Sequence, residues 1–111
     1  MSRRHAVCDL ALQFLDVFAA HPPPEGCPAG TWARLEQEAS RLCCGATDLP
    51  AVGPPRVTQL HTLSLSTGRC LRLLAFVDLR APLVRYAMTL LRAIIDGLEA
   101  SVADAPPPNL A

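Results

Sequence analysis

Three proline-rich stretches divide this 111-residue chain and limit how far any helix or strand in it can run. They cover residues 21–30 (HPPPEGCPAG), 49–55 (LPAVGPP) and 105–111 (APPPNLA). Proline fixes φ and has no backbone donor, so we expect loops or extended linkers at all three. The length suits one domain. We therefore predict a single compact domain over 1–104, with loops at 21–30 and 49–56 and a disordered tail at 105–111.

Two helices are predicted before the second proline-rich stretch. In residues 4–20, Asp9, Gln13 and Asp16 are spaced four and three apart, which leaves an apolar face on the other side of the helix. In residues 31–44, Thr31 suits the N-cap and the following Gly45 suits a helix end. An apolar stripe begins there at Trp32, which we expect to be a core residue or a binding anchor.

Residues 57–79 allow two interpretations. The segment VTQLHTLSL contains few good helix formers, STGR is typical of a turn, and apolar residues then alternate from Leu71 to Leu79. This pattern predicts a β-hairpin. The competing interpretation is another helix, capped by Ser66 or Thr67. Phe76 argues against that helix, because it would lie on the same face as several arginines.

The last segment predicts the longest helix, from Pro82 to about Val102. Proline suits a first helical turn, and the polar residues Arg85, Thr89, Arg92, Asp96 and Glu99 repeat every three or four positions. The expected fold class is therefore α+β, with the order helix–helix–β-hairpin–helix. The alternative is an all-α four-helix bundle.

The apolar residues of this last helix span roughly 220° of its circumference, whereas a helix packed on one core needs about 100°. One interpretation is a central helix, covered on both sides by the rest of the chain. The other is that one stripe contacts a second protein. We choose as the partner interface the stripe with the flexible Met88, together with Trp32 as a possible anchor. The predicted interface residues are Val84, Met88, Leu91, Ile95, Leu98 and Trp32.

Composition supports association with another protein. Half of the residues are hydrophobic, 18% are charged and the formal net charge is zero, so little charge opposes association. The leading functional hypothesis is a non-catalytic subunit or adaptor of an obligate complex, with a hetero-complex favoured over a homodimer. The alternative is a self-sufficient all-α regulatory domain that binds a peptide or helix in a surface groove.

Charge and hydropathy argue against nucleic acid and membrane as partners. All ten basic residues are Arg, and they are balanced by ten acidic residues. Six of the Arg lie between Arg56 and Arg92, where Asp78 is the only acid. This asymmetry indicates either an intramolecular match with the acidic first half or a basic face that contacts nucleic acid or an acidic partner, and the zero net charge and absence of Lys disfavour nucleic acid. No apolar run approaches the roughly 18 residues of a membrane span, and we expect a cytoplasmic or nuclear protein.

No residue pattern points to catalysis, a metal or a cofactor. The five cysteines are odd in number and irregularly spaced, which is typical of free thiols in a reducing compartment. Cys43 and Cys44 lie at the C-terminal end of the predicted helix 31–44 without a local histidine, and a reactive thiolate would prefer a helix N-terminus or a cationic neighbour. His5, His21 and His61 match no structural zinc spacing. We predict no enzyme activity, no catalytic residues and no cofactor.

Overall fold

The computed structural model describes residues 6–104, and the two proline-rich stretches inside that range each separate two helices. Helix α1 is Ala6–Ala20, α2 is Ala29–Thr47, α3 is Pro54–Leu74 and α4 is Pro82–Asp104. The described residues contain no strand, so the predicted α+β class is wrong and the all-α alternative is confirmed. The tail predicted at 105–111 lies outside the described residues.

The four helices of the described range form an antiparallel ring in which each packs against two others. Helix α1 contacts α2 and α4, and α3 likewise contacts α2 and α4. Across α2 and α3, Gly45 lies beside Leu63. Across α1 and α4, Gly97 lies beside Val7. The apolar stripes of all four helices therefore meet in one core.

Residues 57–79 fold as helix α3 and the turn after it, which corrects the predicted hairpin. The buried residues Leu60, Leu63, Ser66, Thr67, Cys70 and Leu74 recur every three or four positions, as a helix requires. The helix begins with Pro54 and Pro55, where a missing N–H costs nothing, after Gly53 at φ 87°. The hydroxyls of Ser64 and Thr67 donate to backbone carbonyls one turn back, so these residues are accommodated within the helix.

Helix α2 is longer at both ends than its sequence predicts. Pro28, not Thr31, is its N-cap, and no side chain caps it. Gly45 lies inside the helix instead of ending it. A Cβ at this position would lie 2.6 Å from Leu63 Cδ2, so the glycine allows α3 to approach closely.

Helix α4 begins at Pro82, as predicted, and carries the broad apolar arc of the last segment. Its Gly97 and Tyr86 lie on the side of α1, since Gly97 is next to Val7 and the Tyr86 hydroxyl is 3.5 Å from Gln13 Oε1. Helix α3 packs on the other side. Two neighbours thus account for an arc twice as wide as one neighbour would cover.

Candidate functional site

The predicted interface stripe on α4 is largely inside the bundle. Val84 and Leu91 are 0% exposed, and Leu98 is 1% exposed. Met88 and Ile95 are partly buried and pack against the core. The stripe contributes to the chain's own core because α1 and α3 both cover α4. These three buried side chains are therefore not accessible to a partner protein.

Trp32 is also a core residue of the chain. It is 5% exposed, and its ring meets Phe18 edge to face at a centroid distance of 4.8 Å. Its Nε1 donates a hydrogen bond to the His21 carbonyl at 3.1 Å. The indole thus fixes the loop after α1 to the first turns of α2, and it is not available as a surface anchor.

The surface instead offers a groove between α2 and α3, which we call the basic groove. It has a volume of about 340 Å³. Because it combines arginines with accessible apolar carbon, it can provide both charge and hydrophobic contact to a ligand. Its lining residues are Arg34, Gln37, Glu38, Arg69, Arg72, Leu73 and Phe76.

Phe76 is the one aromatic residue among those that line the groove, and it is 71% exposed. It lies in the turn after α3, where its N–H donates to the Leu73 carbonyl at 3.1 Å. The next residue, Val77, is buried and donates its N–H to the Leu74 carbonyl. The inward side chain of Val77 anchors the turn, and this holds Phe76 on the outside. Large aromatic rings dominate interface energies when a partner buries them.

The charges around the groove are predominantly positive. Glu38 is the one carboxylate among its lining residues. Its Oε1 accepts from Arg41 Nη1 at 3.0 Å, and its Oε2 lies 3.9 Å from Arg69 Nη1. That second distance is within ion-pair range but too long for a hydrogen bond, so Oε2 is buried without a donor among the described residues. Within residues 6–104, no carboxylate forms an ion pair with Arg34 or Arg72.

Asp78, close to the groove in sequence, does not reduce this positive charge. Its carboxylate accepts from the backbone N–H and the Nε of Arg80, at 2.9 and 3.1 Å. The hydrogen bond from the Arg80 side chain is the main cause that lowers the pKa of Asp78. The two charges therefore compensate each other within the turn, and Asp78 forms no ion pair with an arginine of the groove among the described residues.

Two buried cysteines, Cys43 and Cys70, have thiols whose pKa is raised. Burial, with a smaller contribution from Cys44, raises the pKa of the Cys43 thiol to about 11. Burial also raises the pKa of Cys70 to about 12, with a further contribution from the Glu38 charge. Both thiols are thus protonated at neutral pH and are poor nucleophiles. Within residues 6–104, no three His, Cys, Asp or Glu side chains are grouped to hold a metal ion.

Two other surface features offer less recognition chemistry. A depression of about 520 Å³ lies where α2 leads into α3, and its lining contains Asp48, three prolines, Thr58 and Gln59. Apolar side chains of α3 and α4 are also exposed, from a little over one third at Val57, Leu71 and Val102 to 48% at Tyr86 and 64% at Leu65. The depression has no aromatic residue in its lining, and Tyr86 lies on the α1 side of α4, whereas the basic groove combines a 71% exposed Phe76 with arginines that have no ion pair among the described residues.

No protein-family model, curated protein or solved structure matches this chain. None of the described helices is both long and apolar enough to cross a membrane.

Sequence reasoning missed the basic groove, although two signals pointed to it. The excess of arginine between residues 56 and 92 indicated a basic face. In the sequence, the position of Phe76 relative to the arginines argues against a helix; in the structure α3 ends at Leu74, and Phe76 in the following turn lines the same groove as Arg69 and Arg72. A hydrophobic residue on a polar face is a signal for a binding surface as much as for a wrong secondary structure.

Proposed function

We propose that this chain is a non-catalytic protein-interaction domain that binds a peptide or helix of a partner protein in a surface groove. The observation that carries the proposal is the exposure of Phe76 beside unpaired arginines, on a bundle whose core is already closed. A closed core supports a self-sufficient domain, so the groove replaces the α4 stripe as the contact surface.

The chemistry of the groove supports binding more than catalysis. Its polar groups are arginines, one glutamine and one carboxylate that is engaged by Arg41. Arginine is always protonated at physiological pH and cannot act as a general base there. It is, however, enriched with aromatic residues in the energetically important centres of protein interfaces. The irregular set of five cysteines supports a cytoplasmic or nuclear location as part of the same proposal.

The proposal is tested by affinity purification of the full chain at endogenous level, comparing wild type with Phe76→Ala. We expect a partner in stoichiometric amount with the wild type and at least about tenfold less with the variant, since truncation of an aromatic anchor typically costs more than 1 kcal/mol. The control is Leu12→Ala, because Leu12 is 47% exposed on α1, away from the groove.

The purified partner must then bind the purified chain directly, with a defined stoichiometry in isothermal titration calorimetry. Thermal unfolding of both variants shows that any loss of binding is not a loss of fold. The proposal is contradicted if no stoichiometric partner is recovered, or if Phe76→Ala and Leu12→Ala behave alike.

A further inference from the structure

We infer that the basic groove binds a short acidic segment of a partner protein, with carboxylates on Arg34, Arg69 and Arg72 and an apolar side chain against Phe76 and Leu73. This inference rests on the proposed function and names the class of partner. It follows from charge complementarity, from the position of Phe76 and from the size of the groove.

Charge complementarity favours carboxylates. Arg34 on α2 and Arg72 on α3 both line the groove without an ion-pair partner among the described residues. Arg69 has only the 3.9 Å contact to Glu38, and its side chain is 48% exposed. A guanidinium presents a planar fork of donors that matches a carboxylate in bidentate geometry. Arginines from two helices can therefore position two or more carboxylates of one ligand.

Phe76 and Leu73 add an apolar contact at one end of the arginine cluster. Leu73 is partly buried against the core, and Phe76 extends beyond it into solvent. From Arg69 to Phe76 the chain advances seven residues, or about 10 Å at helical rise. A segment of three or four extended residues, or two helical turns, spans this length. The ligand is thus short and has an apolar residue next to acidic ones.

A peptide suits the groove better than a nucleic acid or an anionic membrane. The Glu38 carboxylate lies among the arginines and reduces the net positive charge of the groove, which disfavours a densely charged phosphodiester more than a peptide with a few carboxylates. A peptide has backbone N–H donors in addition to its carboxylates, whereas a phosphodiester offers acceptors only. The net charge of zero also lacks the long-range attraction that nucleic-acid binding normally uses.

The test begins with a displayed library of random 12-residue peptides, selected on the immobilised full chain. We expect the enriched peptides to have a net negative charge and at least one large apolar residue. Synthetic versions should bind with 1:1 stoichiometry in fluorescence anisotropy, and their affinity should fall as NaCl is raised from about 50 to 300 mM, because salt screens exposed charges.

The decisive variant is the pair Arg34→Glu and Arg72→Glu, which removes no ion pair of the described residues. The double variant should bind the acidic peptides at least tenfold more weakly than the wild type. Peptides with Lys in place of their acidic residues should bind the double variant with recovered affinity. The matched control is the pair Arg85→Glu and Arg92→Glu, two exposed arginines on α4 that should leave the dissociation constant within about twofold. Circular dichroism confirms that both variants are folded.

The inference is overturned if the enriched peptides are neutral or basic, or if the two charge-reversed pairs have the same effect. Arginine-dependent binding of single-stranded RNA or of phosphatidylserine vesicles, without binding of the acidic peptides, also overturns it. A stoichiometric partner that depends on Phe76 but not on Arg34 and Arg72 would leave the proposed function intact and refute only the acidic segment. Failure to enrich any peptide and to recover any partner would refute both.

Discussion

Cys70 shows how a single buried side chain couples the stability of the bundle to pH. It is 0% exposed on the inner face of α3, and it lies close enough to Glu38 for that carboxylate to affect its titration. Burial first, and the Glu38 charge second, raise the pKa of the thiol from 9.0 to about 12. Because the folded chain binds this proton more tightly than the unfolded chain, the contribution of Cys70 is complete below pH 9 and is lost as the pH rises toward 12.

We predict that the free energy of unfolding falls as the pH is raised above 9. At pH 10.5 the titration of Cys70 alone should remove about 2 kcal/mol, since one pKa unit corresponds to about 1.4 kcal/mol. Urea unfolding followed by circular dichroism from pH 7 to 10.5 measures this slope. Cys70→Ala is the control and should be less sensitive to pH over the same range. An equal slope in both proteins would show that other groups cause the loss.

Two glycines that both lie within helices should have opposite effects on stability when each is replaced by alanine. Both Gly45 and Gly68 lie within helices, where alanine is favoured over glycine by about 1 kcal/mol. A Cβ at Gly68 meets nothing within 4 Å, whereas one at Gly45 would lie 2.6 Å from Leu63 Cδ2 and 2.9 Å from Gln59 Nε2. Leu63 is buried in the core and has little space to move.

Gly68→Ala should therefore stabilise the protein by about 0.5–1 kcal/mol, and Gly45→Ala should destabilise it by about 1–2 kcal/mol. Chemical denaturation of the two variants and the wild type gives both values. A stabilising Gly45→Ala would mean that α2 and α3 are not in close contact at this point.

At the scale of the element, α4 is the helix whose role differs most from the sequence prediction. If the stripe contacted a second protein, a charged residue at Leu91 would abolish association and leave a folded monomer. Leu91 is 0% exposed within the single chain, so a carboxylate there would be buried without a partner. The cost of burying an unpaired charge is several kcal/mol, comparable with the whole stability of a small domain.

Leu91→Asp should accordingly unfold the chain, with loss of the helical signal at 222 nm. Thr89→Asp is the matched control two residues away, on the exposed side of the same helix, and should cost no more than about 1 kcal/mol. A folded, soluble Leu91→Asp protein would contradict the burial of this stripe and revive α4 as a partner surface.

At the scale of the whole molecule, the ring of helix contacts makes each helix necessary for the core. Helix α1 contributes the buried residues Val7, Phe14, Val17 and Phe18, and it covers one side of α4. Fully burying each large apolar side chain contributes about 1.5–3 kcal/mol, so their combined loss is comparable with the total stability of a typical domain. Without α1, the faces of α2 and α4 that it covers would be exposed to water, because α2 and α4 do not contact each other.

We therefore predict that a chain beginning at Cys27 is unfolded at 25 °C. The intact chain should unfold in one cooperative step, in which Trp32 fluorescence and far-ultraviolet circular dichroism change at the same urea concentration. The shortened chain should show neither a cooperative transition nor a native tryptophan spectrum. A folded shortened chain would mean that three helices form a sufficient core, and it would weaken the proposal of one closed bundle.

The sequence by itself determined where the chain can be helical over most of its length, and the tertiary structure decided what the helices do. Proline and local periodicity placed α1 and α4 almost at their observed ends, because both depend on interactions within a few residues.

The hairpin predicted for residues 57–79 was wrong because Leu60, Leu63 and Cys70 form a helical stripe, and the burial of this stripe requires α2 and α4. The same reason explains Gly45, which lies inside α2 instead of ending it and lets Leu63 of α3 approach closely. An apolar arc shows only that a surface must be covered. Whether a neighbouring helix or another protein covers it is a property of the packed molecule, as are the exposure of Phe76 and the basic groove beside it.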